Sequence, residues 1–334
     1  MDGSRKVGNQ MILVRSPLRI TLGGGGTDLP AYYSRHGGMF LTAAIDKYVY
    51  VSVLRPFVPG VIVKHSGASE QCTQIANIKH PLIREALRMY APSDWKPQIE
   101  LTTLADVPAG TGLGSSSACA CALLRAIRLF FRPQDDITRD ELAEEACVLE
   151  MDILKEPIGK QDAYASAFGN CTPFMINEQG KVSAQPGIDW RVQERLEQRL
   201  QLYFTGFSRS ASNLLQLTAT GKQNDLLHNI SYLGQRMLAA LRAGALWQVG
   251  GVFSTQWEEK QRRSLGITSE RIDNLYAHGL RNGATGGKLV GAGGGGFLLF
   301  YTTEPEQLRA GMAELAVEEL PFKFEDEGTM VVCQ

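Results

Sequence analysis

A glycine- and serine-rich segment, DVPAGTGLGSSSA, runs from Asp106 to Ala118 near the first third of the chain. Before it lies a strand-like stretch, Gln98 to Leu104. After it comes an apolar run, Ala118 to Phe131, whose length and alanine and leucine content predict a mostly buried helix. A chain with this order must turn sharply between a strand and a helix.

Three glycines of this segment permit a tight turn and present backbone N–H groups with no side chain in the way: Gly110, Gly112 and Gly114. The N–H groups and the dipole of the following helix would complete a site for a polyphosphate. Hydroxyls at Ser115, Ser116 and Ser117 can donate to phosphate oxygens, and one of them can ligate Mg²⁺. The segment is no Walker A loop, because GxxxxGK[ST] is absent. A plain glycine turn with serine caps is the alternative.

An earlier glycine cluster follows a predicted strand, Met11 to Thr21, and belongs to the segment SPLRITLGGGGTDLP, Ser16 to Pro30. This segment carries one cation, Arg19, and one anion, Asp28. Asp28 could accept hydrogen bonds from sugar hydroxyls, and Arg19 could offset phosphate charge. A hairpin with a solvated ion pair explains the segment equally well.

A third cluster, GGKLVGAGGGGF from Gly286 to Phe297, is predicted to lie between a helix and a strand. Its consecutive glycines permit a ligand to approach the backbone closely. A dinucleotide-binding fingerprint does not fit, because there the glycines follow a strand and open a helix.

Two acidic residues lie between these clusters. Asp162, in the segment IGKQDAY, is predicted in the first turn of a helix, where an anion is stabilised. Glu150 lies near the end of the preceding helix, Thr138 to Leu154, which opens with a capping box formed by Thr138 and Glu141. Without a function, Asp162 is simply an acidic residue at a helix N-terminus, and Glu150 lies on a solvated helix face.

Composition excludes several classes of protein. The 334 residues carry a net charge of −1, which gives no electrostatic reason to expect nucleic acid or an anionic membrane as a partner. No apolar run approaches the roughly 20 residues of a membrane span, and the polar N-terminus lacks a signal-peptide core. We therefore expect a cytoplasmic protein. Its six cysteines form no CxxC pair, so we expect free thiols and no zinc site.

Strand-like and helical stretches predict an α+β protein in two lobes, with a domain boundary near residue 175. The predicted domains are residues 1–175 and 176–334. Helices are expected from Ala211 to Thr220 and from Glu304 to Glu319. The sequence leaves the oligomeric state open, a homodimer included.

Taken together and in this order, the motifs resemble those of the GHMP kinase superfamily, over nearly the whole chain. The second cluster resembles that family's PxxxGLGSSxA nucleotide loop, and the third its KLxGAGxGG motif. The resemblance implies an ATP- and Mg²⁺-dependent kinase. It also implies a two-lobed fold whose N-terminal lobe contains a left-handed β-α-β nucleotide-binding unit and whose C-terminal lobe is ferredoxin-like.

The resemblance also bears on the substrate. In galactokinases the first motif ends in Glu-His-Thr-Asp, whereas here Gly25 and Gly26 precede Thr27 and Asp28. The LGGGGTD loop, the GKQD segment and the stretch Tyr203 to Ala211 resemble the sugar 1-kinase branch that acts on D-glycero-D-manno-heptose 7-phosphate. This implies synthesis of a heptose 1,7-bisphosphate for surface-polysaccharide precursors. A fucokinase-like or other sugar 1-kinase and a non-catalytic sugar and ATP sensor stay open as alternatives.

The resemblance assigns roles to residues of this chain. Asp162 matches the catalytic aspartate and Arg19 the basic residue that offsets phosphoryl charge. Ser116 and Glu150 match the Mg²⁺ ligand pair, with a one-residue shift open at Glu150. The residues expected at ATP are Pro108, Gly110, Thr111, Gly112, Leu113, Gly114, Ser115, Ser116 and Ser117. Those expected at the sugar are Gly25, Gly26, Thr27, Asp28, Arg209, Gly293 and Gly294. A phosphorylated sugar needs a further cation, for which Arg209, Lys160 and Lys288 are candidates.

Overall fold

The computed structural model of this protein describes residues 11–208, 221–263 and 266–334. Arg209 and the helical stretch expected from Ala211 to Thr220 therefore lie outside the described residues. Within the described ranges, two sheets and the helices packed on them form two lobes of mixed α and β structure.

The larger sheet has eight strands, in the order β11-β1-β2-β5-β3-β4, with β6 paired to β2 and β7 paired to β6. The seventeen-residue β2 is long enough to pair with β6 along its first part and with β5 along its second, while β1 follows its other edge. The strands are β1 (Ile12–Gly23), β2 (Gly38–Leu54), β3 (Gly60–His65), β4 (Ala68–Cys72), β5 (Gln98–Ala105), β6 (Cys171–Ile176), β7 (Val182–Ala184) and β11 (Met330–Cys333).

The helices of the first lobe are α1 (Pro30–His36), α2 (Pro81–Tyr90), α3 (Ser115–Phe131), α4 (Arg139–Cys147) and α5 (Gln161–Phe168). Helices α2 to α5 bury their apolar faces against this sheet and one another, whereas Tyr32 of α1 packs against Leu227 and Ile230. A core of aliphatic residues from the strands and α2 to α5 fills the space between the layers. Strands β3 and β5 run parallel with α2 between them, which is the β-α-β unit that leads into the glycine–serine segment.

The smaller sheet has three antiparallel strands in the order β8-β10-β9. These strands are β8 (Leu200–Phe204), β9 (Ala284–Leu289) and β10 (Phe297–Thr302). The helices of this part of the chain are α6 (Trp190–Glu197), α7 (Gly221–Arg242), α8 (Val249–Arg263), α9 (Glu270–Arg281) and α10 (Pro305–Ala313). One apolar core contains residues of both sheets, for example Leu18 and Ile20 of β1 with Leu299 of β10. The two lobes are thus packed on each other.

Several expectations about elements need correction. The third glycine cluster connects two strands, β9 and β10, and no helix leads into it. The helix expected over residues 304–319 ends at Ala313. The helix expected to continue to Leu154 changes after Cys147 into a π-helical segment, Val148–Ile153. The capping box at Thr138 and Glu141 is confirmed, with both reciprocal hydrogen bonds present.

The domain division at residue 175 stays a prediction. Two strands beyond that residue, β7 and β11, complete the larger sheet, so the sheets do not divide the chain into two continuous halves. No helix among the described residues combines the length and the apolarity that crossing a bilayer would require.

Candidate active site

The three glycine clusters and the start of α5 meet around one cavity of about 250 Å³. β1 delivers the first cluster, the β5–α3 connection the second, and the β9–β10 connection the third. The residues of the sequence prediction that line the cavity are Arg19, Gly25, Gly26, Asp28, Gly110, Gly112, Gly114, Ser115, Ser116, Ser117, Asp162 and Lys288.

Other predicted residues support the cavity from behind or lie away from it. Thr27 is fully buried, and its hydroxyl oxygen lies 2.9 Å from the carbonyl oxygen of Gly24 and 2.6 Å from that of Met39, so it holds the turn and does not face the cavity. Gly293 and Gly294 contact Ile267 instead of the cavity. Pro108, Thr111, Leu113 and Glu150 are likewise absent from the lining.

Arg19 and Asp162 form a bidentate ion pair at the centre of the cavity wall. Arg19 Nε donates to Asp162 Oδ1 at 2.8 Å, and Nη2 donates to Oδ2 at 2.7 Å. The remaining nitrogen, Nη1, donates to the carbonyl of Gly112 at 2.6 Å. The arginine side chain is 4% exposed and the aspartate 28%, so the carboxylate is the partner that a ligand can reach. Arg19 therefore connects the acid to the second glycine cluster.

The second cluster has the geometry of an anion site. Gly114 is the N-cap of α3 at φ 79°, and no side chain caps the helix. The serine-cap interpretation is therefore wrong, and the N-terminal N–H groups of α3 stay available to a ligand. A side chain at Gly114 would be strained by the positive φ, and its Cβ would lie 3.2 Å from Arg19 Cγ and so press on the arginine.

Two of the serines bind Glu150. Ser116 Oγ donates to Oε1 and Ser117 Oγ to Oε2, each at 2.6 Å. Burial raises the pKa of Glu150 to about 7, more than the two serine hydrogen bonds lower it. Ser116 is exposed to the cavity while Glu150 lies behind it, so the pair offers oxygen ligands of the kind Mg²⁺ takes alongside phosphate oxygens. No cluster of three or more metal-binding side chains occurs among the described residues.

The second and third clusters contact each other directly. A Cβ on Gly291 would lie 2.4 Å from the Cα of Gly112, and one on Gly296 would lie 2.1 Å from the carbonyl oxygen of Thr111. Both glycines have positive φ, 72° and 94°. The glycines of the third cluster thus let two loops pack backbone to backbone, while its stretch from Lys288 to Ala292 lines the cavity.

Asp28 fastens the first cluster to α5. Its carboxylate accepts hydrogen bonds from the backbone N–H groups of Gly26, at 2.8 Å, and Gln161, at 3.0 Å. Burial is the main reason why the pKa of this carboxyl is raised, and the two backbone hydrogen bonds oppose the shift. No ion pair joins Asp28 to Arg19 among the described residues, so the solvated pair considered from the sequence is wrong.

Three cations were candidates for binding a substrate phosphate, and Lys288 is the one that lines the cavity within the described part of the chain. Its Nζ donates to the carbonyl of Leu22 at 3.1 Å and to Gln256 Oε1 at 2.6 Å. Burial, Lys260 and Arg19 together hold its pKa well below the ordinary value. Lys160 points elsewhere and is bound by both carboxylate oxygens of Glu144 at 2.7 Å.

The sequence prediction missed several polar residues that line the cavity: Thr21, Gln161, Gln256 and Lys260. Thr21 and Gln161 lie inside the segments SPLRITLGGGGTDLP and IGKQDAY but were assigned no role there, and Gln256 and Lys260 belong to no motif. Gln256 and Lys260 are four residues apart and share one face of α8, which is the only pattern that could have indicated them.

Two family models match parts of this chain. Residues 81–170 match the model described as GHMP kinases N terminal domain. Residues 237–317 match the model described as GHMP kinases C terminal. The first match contains the glycine–serine segment and Asp162, and the second contains the β9–β10 connection.

Individual relatives cover most of the chain. A D-glycero-alpha-D-manno-heptose 7-phosphate kinase from Campylobacter jejuni is 28% identical over 305 residues, which are 87% of this chain and 89% of the relative. An L-fucokinase/L-fucose-1-P guanylyltransferase from Bacteroides fragilis is 26% identical, covering 89% of this chain but 35% of the relative. A crystal structure of a putative sugar kinase from Campylobacter jejuni superposes with a TM-score of 0.79 at 25% identity, covering 98% of this chain and 99% of that one.

Proposed function

Since the chain belongs to the GHMP kinase family, it is an ATP-dependent sugar kinase, and we propose that it phosphorylates the anomeric hydroxyl of D-glycero-D-manno-heptose 7-phosphate. The product is the heptose 1,7-bisphosphate, a precursor for surface polysaccharide. The observation that carries the proposal is the Asp162 carboxylate, which faces the cavity and is oriented by Arg19 beside the nucleotide loop.

In the proposed reaction, Asp162 accepts the proton of the anomeric hydroxyl while the sugar oxygen bonds to the γ-phosphorus of ATP. The bond between that phosphorus and the β,γ-bridging oxygen breaks, and ADP leaves with the electron pair. An anomeric hydroxyl is more acidic than an ordinary alcohol, so a carboxylate suffices as the acceptor. Arg19 is already bound to Asp162 and Gly112, so its role is to position the acid and to place positive charge near the reacting groups.

The residues present fit ATP and Mg²⁺. Backbone N–H groups of the second cluster and of the start of α3 would hold the phosphates. Ser116 and Glu150 would hold the metal, which supplies charge neutralisation for phosphoryl transfer when bound. The hydrogen bonds from Ser116 and Ser117 to the two carboxylate oxygens of Glu150 support this role, because they hold the carboxylate beside the loop.

Lys288 supports a substrate that carries its own phosphate. Its ammonium group donates to two neutral oxygens and lies 4.7 Å from the centre of the Phe253 ring, and no carboxylate pairs with it among the described residues. A buried cation without a counter-charge is costly, and an anionic ligand would relieve that cost. The Campylobacter relative, named as a heptose 7-phosphate kinase, supports the same substrate class.

The second candidate is an unphosphorylated sugar such as fucose, which the match to the Bacteroides fragilis enzyme favours. A panel assay separates the two. ATP consumption with Mg²⁺ is measured with D-glycero-D-manno-heptose 7-phosphate, mannose 6-phosphate, sedoheptulose 7-phosphate, fucose and galactose. We expect turnover of the phosphorylated aldoses, with the heptose best. A preference for fucose or galactose would contradict the heptose 7-phosphate as the substrate. ATP binding without turnover of any sugar would favour a non-catalytic sensor of sugar and ATP.

A further inference from the structure

Gln161 carries a buried acceptor atom that the proposed reaction does not use. It is the first residue of α5 and is 7% exposed, and its side chain lines the cavity. Its Oε1 is buried and accepts no hydrogen bond from any residue that the structure describes. Buried polar atoms of this kind are uncommon, because leaving one without a partner is unfavourable.

The orientation of the Gln161 amide follows from its neighbours. The amide nitrogen Nε2 donates to Asp162 Oδ1 at 3.0 Å and to Thr21 Oγ1 at 2.9 Å. Asp162 is bound to a guanidinium, so its carboxylate can only accept. The NH₂ group must therefore face Asp162, and the carbonyl oxygen must face away from it.

The first glycine cluster makes room at that oxygen. A Cβ on Gly25 would lie 3.2 Å from Gln161 Oε1, so any other residue there would fill the space beside it. Gly25 also lines the cavity. The backbone of Gln161 is fixed as well, because its N–H donates to Asp28. The acceptor thus has a defined position next to the reacting carboxylate.

We propose that Gln161 is a specificity-determining residue whose amide oxygen accepts a hydrogen bond from the sugar hydroxyl adjacent to the one phosphorylated. The inference rests on the proposed function and adds a contact to it. Because Gln161 also binds Asp162, one side chain would recognise the hydroxyl at C2 and hold the acid that takes the proton from C1. Water cannot replace a missing hydroxyl at a buried acceptor, so a 2-deoxy sugar should be a poor substrate.

The test compares mannose 6-phosphate with 2-deoxyglucose 6-phosphate, which differs from it only by the missing 2-hydroxyl. We expect the wild type to prefer the former by at least roughly 100-fold in kcat/KM. Gln161→Met should reduce this preference to about tenfold or less. Loss of the contact to Asp162 lowers both activities together and cancels in the ratio. Thr21→Val, which removes a partner of Nε2 but leaves Oε1, should keep the wild-type preference.

The outcomes separate this inference from the function on which it rests. Equal kcat/KM of the wild type for the two sugars would overturn the role of Gln161 without any variant. An unchanged preference in Gln161→Met would do the same, while the enzyme remained a kinase. If only an unphosphorylated sugar is turned over, the comparison is made with that sugar and its 2-deoxy form. No turnover of any sugar would overturn the proposed function and this inference together.

Discussion

At the scale of single residues, the site depends on charges that are buried and shared. Arg19 donates to both oxygens of Asp162 and to Gly112, so one guanidinium orients the acid and the nucleotide loop together. Removing one partner of a buried ion pair leaves the other uncompensated, which costs more than the pair itself contributes. Substitutions at this pair are therefore expected to change stability as well as turnover.

We expect Asp162→Asn to lower turnover at least about 100-fold, the smaller end of what a positioned base contributes. Binding of ATP should change little, because the hydrogen bonds described for Asp162 go to Arg19 and Gln161 and none goes to the glycine–serine segment. The melting temperature should fall, since Arg19 loses its counter-charge. Turnover and nucleotide titration measure the two effects. The control is Asp136→Asn, which removes a carboxylate that is 94% exposed. If Asp162→Asn kept more than a tenth of the wild-type turnover, Asp162 would not be the proton acceptor.

Lys288 predicts a pH dependence of stability. Its pKa in the folded protein lies well below the ordinary 10.5, chiefly because of burial. Between the two values the unfolded chain binds one more proton than the folded protein, so the free energy of unfolding of the ligand-free protein rises with pH.

Lys288→Met should remove this contribution. Urea unfolding from pH 7 to 10 should show the variant gaining stability over the wild type at the low end, with the gain shrinking as pH rises. Lys64→Met, at an exposed surface ion pair, controls for loss of a lysine. A Lys288→Met curve parallel to the wild type would contradict the interpretation.

At the scale of elements, the glycine clusters are best understood as places where backbones meet. Gly291 at φ 72° touches Gly112, so the β9–β10 connection and the nucleotide loop hold each other in place. A ligand in the cavity would contact loops whose positions are already fixed by this packing. Pre-organisation of this kind reduces the ordering cost of binding.

We expect Gly291→Ala to destabilise the protein by at least about 2 kcal/mol, because a left-handed conformation and a steric clash add together. ATP affinity should fall as well. Gly251→Ala in α8 is the matched control: a Cβ there meets nothing within 4 Å, and the change should stabilise the helix by about 0.5–1 kcal/mol. Urea unfolding measures the stability and nucleotide titration the ATP affinity. Equal stability and equal ATP affinity of the two variants would contradict the packing argument.

The elements also show how far sequence patterns reach. Strand-like composition and capping signals predicted β5 and the start of α4 correctly, because each is a local property. Strand β9 was missed because Gly286 and Gly287 lower its β propensity, and they are required by contacts with Gly250 and Phe300 far away in the sequence. The π-helical segment carrying Glu150 has no sequence signature.

The candidate site divides in the same way. The three glycine clusters, Arg19 and Asp162 could be found because they form motifs with fixed spacing. Gln161 and Thr21 could not, since single polar residues acquire meaning only when folding brings β1 and α5 together. Thr27 and Gly293 belong to motifs but serve the packing of the loops.

At the scale of the whole molecule, the larger sheet is assembled from distant parts of the chain. Strand β11 pairs antiparallel with β1, and Thr329 Oγ1 lies 2.8 Å from Ser16 Oγ while donating to the carbonyl of Ser166. Residues before β11 extend this connection, with Asp46 N–H donating to the carbonyl of Lys323. The segment therefore fastens the second lobe across the sheet of the first.

We expect a chain ending after Gly328 to melt at least about 3 °C lower, since it loses the β11 ladder and the Thr329 contacts. It should also associate, because the unpaired edge of β1 can pair with another chain. Calorimetry and sedimentation measure both effects. Cys333→Ser is the control, because it changes one exposed side chain of β11 but keeps the strand. A truncated chain that stays monomeric with an unchanged melting temperature would contradict the expectation.

The pairing of β1 with β11 has a consequence for biosynthesis. Their contacts join residues 313 positions apart, as between Ser16 and Thr329. At ribosomal rates of about 5–20 residues per second, roughly 15–60 s separate the emergence of the two strands. During that time the edge of β1 is unpaired, and chaperones or neighbouring nascent chains can bind to it. The first lobe of this kinase is thus completed only after translation has passed through the second.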